Sequence, residues 1–237
     1  MNRELRYEKN ATWTAEQQRA LSKKTVAVFG CGGLGGYVIE HLGRMGVGQI
    51  IVCDGDVFTP SNLNRQLLAT EENMGQNKAA EAKKRMQQVN STVRVTAVEA
   101  FLTPEELRGL LEGVDCVMDC TDHAQARRML CQAAQARGVP LVHGAVSGWS
   151  GQVGAFRTDF GLMDWLYSTS EPEAGETGSP SFVPAVIAGV QAAEAVKLLL
   201  GCPLAEQGRL ILVDTLHHEY RIIEEEKHGH HQSGLHQ

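Results

Sequence analysis

The chain contains no C-x-x-C pair. Its six cysteines, Cys31, Cys53, Cys116, Cys120, Cys131 and Cys202, stand singly along 237 residues. A structural zinc site draws on four closely placed soft ligands, normally paired thiols, so no structural zinc is expected. Most of the cysteines sit in or beside apolar strand or helix patterns and read as small buried hydrophobes of a reducing compartment. Excess positive charge is also missing. Twenty-two Lys and Arg against 28 Asp and Glu leave a net charge of −6, which offers no bulk attraction to nucleic acid or to an anionic membrane. No apolar run reaches the roughly 18–20 residues of a membrane span. The start, Met1-Asn2-Arg3-Glu4-Leu5-Arg6, is charged and lacks the apolar core of a signal peptide. No internal repeat is visible. A cytoplasmic protein that partners neither membrane nor nucleic acid is expected. Length and a hydrophobic content of 43% suit one globular domain.

What the chain does have is an alternating series. Residues 1–24 are polar and helical in part, with Thr14-Ala15-Glu16-Gln17 resembling a capping box. Thr25–Gly30 reads as a strand, Gly35–Met45 as a helix stopped by Gly46 and Gly48, and Gln49–Asp54 as a second strand. An irregular polar stretch, 55–75, precedes a helix over Asn77–Val89, a strand over Val93–Val98 and a short helix over Thr103–Leu111. Strand Asp115–Asp119, helix His123–Arg137 and strand Pro140–Gly144 close the series. Such alternation predicts an α/β fold, a Rossmann-like, mostly parallel sheet flanked by helices. Beyond 144 the pattern changes. Gly151–Arg157 reads as a strand with no helix before it, and 158–182 as a long loop with little periodicity. Ala185–Leu200 is a strongly apolar helix, followed by strands Leu210–Asp214 and Tyr220–Glu224, an antiparallel C-terminal extension. The single domain spans 1–226, and the His-rich tail 227–237 is expected to be disordered.

Chemistry concentrates where the first strand meets its helix. Gly30-Cys31-Gly32-Gly33-Leu34-Gly35-Gly36 is a glycine turn that opens a helix. Such a turn lets backbone approach phosphates and presents free N–H groups to them. Asp54 ends the second strand nineteen residues past Gly35, where a carboxylate reaches ribose hydroxyls. Asp56, beyond the strand end, suits that role less well. Ser61-Asn62-Leu63-Asn64-Arg65-Gln66 follows. Arg65 can grip phosphate oxygens bidentately, with Asn62 and Gln66 orienting them. Lys78 begins a helix against the helix dipole, a small cost that suggests its charge is used. Asp119-Cys120-Thr121-Asp122 follows the fourth strand. Asp122 is the candidate Mg²⁺ ligand, with phosphates supplying other oxygens. Asp119, nearer the strand, reads as structural.

In this order, Gly30–Gly36, Asp54, Ser61–Gln66, Lys78 and Asp119–Asp122 resemble the ThiF/MoeB/HesA family, bacterial relatives of ubiquitin-activating E1 enzymes. Pro140-Leu141-Val142-His143-Gly144-Ala145, Gly151-Gln152-Val153 and the late-helix run Gln191–Lys197 add to the resemblance, which covers about residues 6–224. It implies an E1-like adenylation fold. It implies adenylation of the C-terminal carboxylate of a small ubiquitin-like sulfur-carrier protein ending in Gly-Gly, for thiamine- or molybdopterin-type sulfur transfer, with ATP and Mg²⁺. Carried over by motif, Gly30, Gly32, Gly33, Leu34 and Gly35 lie against the phosphates and Asp54 binds the ribose. Asn62, Gln66, Arg65 and Lys78 hold the triphosphate, and Asp122 the metal. A homodimer is also implied, with Arg6 or Lys9 of the Arg6-Tyr7-Glu8-Lys9 segment entering the partner subunit's site. The family often has Arg-Tyr-x-Arg there, and lysine keeps the charge but not the bidentate fork. Many relatives carry two zinc-binding C-x-x-C pairs and a cysteine in the loop before the late helix, and both are missing here.

Three alternatives compete. Adenylation of a small-molecule or tRNA-borne carboxylate, as in the related dehydratases, would favour a basic surface. An NAD(P)-dependent oxidoreductase would use Gly30–Gly35 and Asp54 but leave Asn62, Arg65, Lys78 and Asp122 idle. A non-catalytic binding module would not need the intact nucleotide motif.

Overall fold

A computed structural model describes residues 4–10, 12–157, 159–167, 178–203 and 208–224. The expected tail 227–237 and the middle of the long loop, 168–177, lie outside the described residues. Apolar runs too short for helices form the central strands, which pair where both faces can be covered. Strands β1 (Thr25–Phe29), β2 (Gln49–Cys53), β3 (Arg94–Val98), β4 (Cys116–Asp119) and β5 (Leu141–Ser147) are parallel. They continue into antiparallel β6 (Ser150–Phe156), β7 (Arg209–Asp214) and β8 (Glu219–Glu224). The eight-stranded order is β3-β2-β1-β4-β5-β6-β7-β8. The mostly parallel sheet and its antiparallel extension agree with the sequence expectation.

Helices cover both faces. On one lie α2 (Gly33–Met45), α3 (Lys78–Val89) and α7 (Phe182–Leu199), over a core that includes Val28, Ile39, Leu42, Ile50, Met86 and Ile187. On the other lie α4 (Pro104–Leu110), α5 (Ala124–Arg137) and α6 (Gly161–Leu166), over Phe29, Leu107, Val117, Leu130, Phe156 and Met163. Local chemistry sets the boundaries. Thr14 makes the expected capping box ahead of α1 (Ala15–Leu21), and Thr103 does the same for α4 with Glu106. Left-handed Gly46, at φ 81°, ends α2.

Two readings of the sequence need correction. Residues 158–182 are not all loop: Gly161-Leu-Met-Asp-Trp-Leu166 forms α6, which buries Met163. This single turn and a half is too short to show a helical period. The irregular stretch 55–75 also contains two 3-10 turns, Pro60–Asn62 and Glu71–Asn73. In addition, α7 begins at Phe182. At 18 residues and a mean hydropathy of 1.5 it is long and apolar enough to cross a membrane by length and composition. In this fold 61% of it is buried, packed against α2 and strands β5 and β6.

The topology locates a site. The chain starts at β1, moves outward to β2 and β3, then returns to place β4 on the other side of β1. Ligands of open α/β sheets bind at such a reversal, beyond the carboxyl ends of the strands. Here the glycine turn follows β1 and the Asp119–Asp122 loop follows β4.

Candidate active site

At the reversal a cleft of about 1810 Å³ opens, lined by Gly30, Gly32, Gly33 and Leu34 together with Asp54, Arg65, Gln66, Lys78 and Asp122. The glycines are required by contact as well as by conformation. Gly30 has φ +88°, and a Cβ there would stand 2.6 Å from the Cys120 carbonyl oxygen. A Cβ on Gly35 would stand 1.7 Å from the Gly30 carbonyl oxygen. The turn and the first turn of α2 are thus folded tightly together. No side chain caps α2 at Gly32, so its first N–H groups remain for an anion.

Asp54 stands at the end of β2. Its Oδ2 accepts from the Cys31 N–H at 2.7 Å and its Oδ1 from the Asp56 N–H at 2.8 Å. Burial pushes its carboxyl up, against the lowering effect of those hydrogen bonds and of Lys78. Lys78 is buried at the start of α3, its ammonium 3.1 Å from Asp56 Oδ2. The N-cap Asn77 supports this corner, accepting from the Ala79 and Ala80 N–H groups and donating to the Asp54 and Asp56 carbonyls. Asp56, set aside as a ribose ligand, thus holds the lysine. Arg65 donates from Nη1 to the Ser61 carbonyl and to Asn64 Oδ1. Gln66 is 8% exposed, and its Oε1 is buried with no hydrogen-bond partner in the protein. Such an orphan inside a cleft implies a further group when the site is filled.

Asn62 stands apart. It is buried, does not line the cleft, and its Oδ1 accepts from the Thr59 N–H at 3.0 Å, closing the cap of the Pro60–Asn62 turn. Its place is beneath Arg65 and Gln66, whose N–H groups bond to its carbonyl. Arg6 and Lys9 do not line the cleft either. Tyr7, between them, packs on Gly46 and accepts from Asn90 Nδ2 at 2.9 Å. Gly46 marks the far end of α2, about 20 Å from the glycine turn for a helix of this length.

The Asp119–Asp122 loop divides as its sequence suggests. Asp122 points outward, its side chain 90% exposed and 3.5 Å from His123 Nε2. Asp119 is fully buried, bonded to Thr121 and, at 2.7 Å, to His143 Nδ1. Burial would raise the Asp119 carboxyl, but His143, Arg127 and Thr121 outweigh it and hold it below the ordinary range. Among the described residues no group of three or more His, Cys, Asp or Glu side chains could hold a metal ion. A divalent cation here would therefore share Asp122 with substrate oxygens. Cys31 is buried in the turn, and burial raises its thiol well above the usual value, Asp54 adding to the shift. That is the opposite of a nucleophile's tuning.

Two functional features escaped the sequence. One is the His143–Tyr167–Gln152 cluster behind Asp119. The other is Gln191, whose Nε2 donates to the Asp119 and Val142 carbonyls and so ties α7 to the ends of β4 and β5. In the sequence, His143, Gln152 and Gln191 stand only as parts of the family resemblance, and Tyr167 carries no signal.

With this geometry in view, the comparisons are decisive. The ThiF family matches residues 6–234. The chain belongs to the ThiF family. It is 38% identical over 219 residues to the sulfur carrier protein adenylyltransferase of Thermus thermophilus, covering 88% of this chain and 81% of that protein. It is 32% identical over 209 residues to the molybdopterin-synthase adenylyltransferase of Escherichia coli, covering 86% and 84%. The crystal structure of E. coli MccB with succinimide superposes with a TM-score of 0.77 at 21% identity, over 92% of this chain and 71% of that one. That likeness bears on the fold alone. This ThiF-family chain is an adenylyltransferase, as its named relatives are.

Proposed function

We propose that this chain adenylates the C-terminal carboxylate of a small ubiquitin-like sulfur-carrier protein ending in Gly-Gly, using ATP and Mg²⁺ in the cytoplasm. One observation carries the reading: the glycine turn, Asp54, Arg65, Gln66, Lys78 and Asp122 line a single cleft at the sheet's topological switch point. A dehydrogenase would account for the turn and Asp54 only. The names of the relatives, which include a SAMP-activating enzyme E1 of Haloferax volcanii, supply the kind of partner.

In this reading the ribose hydroxyls meet Asp54. The phosphates lie over the uncapped start of α2, with Arg65 and Lys78 as counter-charges. Lys78 is released from Asp56 by a more negative partner. Gln66, whose Oε1 lacks a partner, orients the triphosphate or its hydration shell. Asp122 presents a free carboxylate to Mg²⁺, which neutralises phosphate charge when bound. A carboxylate oxygen of the carrier attacks the α-phosphorus while the bond to the β-phosphate oxygen breaks, giving acyl-adenylate and pyrophosphate. No proton moves, so no general base is needed. Positioning and charge stabilisation supply the rate. Burial raises the thiols of Cys31, Cys53, Cys116, Cys120 and Cys131, and Cys202 does not line the cleft, so no thioester is an obligatory step in this reading. A homodimer in which Arg6 or Lys9 enters the partner subunit's site completes the proposal.

The test is exchange of labelled pyrophosphate into ATP in the presence of a Gly-Gly-terminated carrier. Exchange that requires both carrier and Mg²⁺ is expected. Tight NAD binding without ATP binding would overturn the reading.

A further inference from the structure

Beside the cleft runs a polar chain rooted in the fully buried Asp119 and His143, whose further members Thr121, Arg127, Gln152 and Tyr167 reach the cleft lining. Asp119 divides its two oxygens. Oδ1 accepts from the Thr121 N–H at 3.1 Å and the Thr121 hydroxyl at 2.7 Å. Oδ2 accepts from His143 Nδ1 at 2.7 Å, with both side chains fully buried. The far ring nitrogen, His143 Nε2, lies 2.9 Å from the Tyr167 hydroxyl and 3.1 Å from Gln152 Nε2. Gln152 Nε2 also donates to that hydroxyl at 3.2 Å. An ionised carboxylate can only accept, so Nδ1 carries the proton facing Asp119. Nε2 then accepts, because the tyrosine O–H and the amide N–H₂ both face it.

The front of the chain ends on Thr121. Its N–H and hydroxyl are held by Asp119, and Arg127 Nη2 donates to its carbonyl at 3.0 Å. Arg127 in turn stacks over the Tyr167 ring, 5.3 Å from its centre. Every polar group of Thr121 is therefore fixed from behind, and the next residue is Asp122. That carboxylate is 90% exposed, and among the described residues its ion-pair neighbour is His123 at 3.5 Å. A side chain so free needs a rigid backbone if it is to meet a cation repeatedly at one place.

We propose that His143, backed by Tyr167 and Gln152, is a positioning residue that aims Asp122 by keeping one oxygen of Asp119 committed to Thr121. Without an imidazole on Oδ2, a buried carboxylate oxygen is left unpaired. The carboxylate relieves that by rotating or by taking a proton, and either change loosens Thr121. Being held below the usual range, chiefly against burial by the bond from His143, accords with this division of labour. The proposal rests on the adenylation reading for its catalytic consequence, but the fixing of Thr121 does not.

Three variants and two readouts test it in the full chain. His143→Ala should lower kcat for carrier-dependent pyrophosphate exchange by about tenfold or more while KM for ATP stays within about threefold, the pattern of an interaction realised in the transition state. His143→Asn places an amide N–H near the Nδ1 position and should restore kcat to within about fivefold of the unaltered chain. Tyr167→Phe, which keeps the ring under Arg127, should cost only a few-fold. Independently, hydrogen exchange at the Thr121 amide of the ligand-free protein should accelerate about tenfold in His143→Ala and return to slow exchange in His143→Asn. Unchanged kcat, failure of asparagine to rescue, or accelerated exchange spread evenly over β4 and β5 would overturn the proposal in favour of plain packing. If the unaltered chain gives no exchange of pyrophosphate, the adenylation reading falls, and the Thr121 amide alone decides whether His143 fixes the loop.

Discussion

Asp54 and Asp122 are both site carboxylates, but the fold treats them oppositely. Asp54 is partly buried and its carboxyl is raised, burial outweighing two backbone donors and Lys78. Asp122 is open to solvent. If ribose recognition needs ionised Asp54, ATP affinity should weaken as pH falls through that raised value, at a less acidic pH than an unshifted aspartate would dictate. Titration calorimetry across acidic pH would show this limb, and Asp54→Asn should bind weakly at every pH with no such limb. A limb that survives in Asp54→Asn would assign it elsewhere. For catalysis, Asp122→Ala and Arg65→Ala should each lower pyrophosphate exchange by about a hundredfold or more, the scale of one lost electrostatic stabiliser, without loss of helix signal by circular dichroism. Near-normal exchange in either would remove that residue from the site. The residues whose placement was legible in the sequence are those fixed by neighbours in the chain: glycines ahead of a helix, an aspartate at a strand end. Asn62 belongs to the same polar cluster as Arg65 and Gln66, and the structure places its Oδ1 on the Thr59 N–H. Its capping role depends on the local Thr59-Pro60-Ser61-Asn62 turn, a pattern that polar composition hid.

At the scale of elements, strand and helix order was legible because buried parallel strands and amphipathic helices differ so clearly in length and period. The helix α6 was not, since six residues give too short a period to read. Contacts between elements were also illegible. An example is the joint between α2 and α3, where Glu40 accepts from Arg44 Nε at 2.8 Å and from Arg85 Nε and Nη2 at 3.0 Å. Arg44 is a helical neighbour at i+4, but Arg85 is 45 residues away. Burial would raise the Glu40 carboxyl, yet the bonds from Arg85 and Arg44 outweigh it and hold it below its ordinary value. The sign follows: a depressed carboxyl contributes stability that is complete above its unfolded value, about 4.3, and is lost as pH falls through the lower folded value. Glu40→Gln should therefore cost about 1–3 kcal/mol at neutral pH, the range of charge-assisted hydrogen bonds. Urea denaturation should show the gap to the unaltered chain narrowing below about pH 4. A gap that stays constant into acid would mean that Glu40 contributes by packing alone.

For the whole molecule the open question is whether one chain makes a complete site. Apolar as it is, α7 supplies no reason for a partner, because most of that helix is covered by its own chain. The reason lies in the placement of the N-terminal segment. Tyr7 is anchored at the end of α2 remote from the glycine turn, with Arg6 and Lys9 beside it and neither lining this protomer's cleft. In the proposed homodimer, Lys9 would serve the phosphate site of the neighbouring subunit. Strand β8 adds an edge exposed along its whole length, and Trp149, Phe182, Leu216 and Tyr220 are all more than 40% exposed, surface that an oligomer could cover. Lys9→Ala should then lower exchange strongly while leaving the unfolding free energy within about 0.5 kcal/mol of the unaltered chain, as an exposed substitution does. Mixing inactive Lys9→Ala with inactive Asp122→Ala supplies the decisive measurement. In a heterodimer, the Asp122 of one chain meets the Lys9 of the other at one site, while the second site lacks both. Random exchange of equal amounts makes about half of the dimers mixed, so about a quarter of full activity should return. With subunit exchange verified by mass-labelled chains, zero recovery would rule out the trans arrangement, and a monomer by light scattering at working concentration would do so directly.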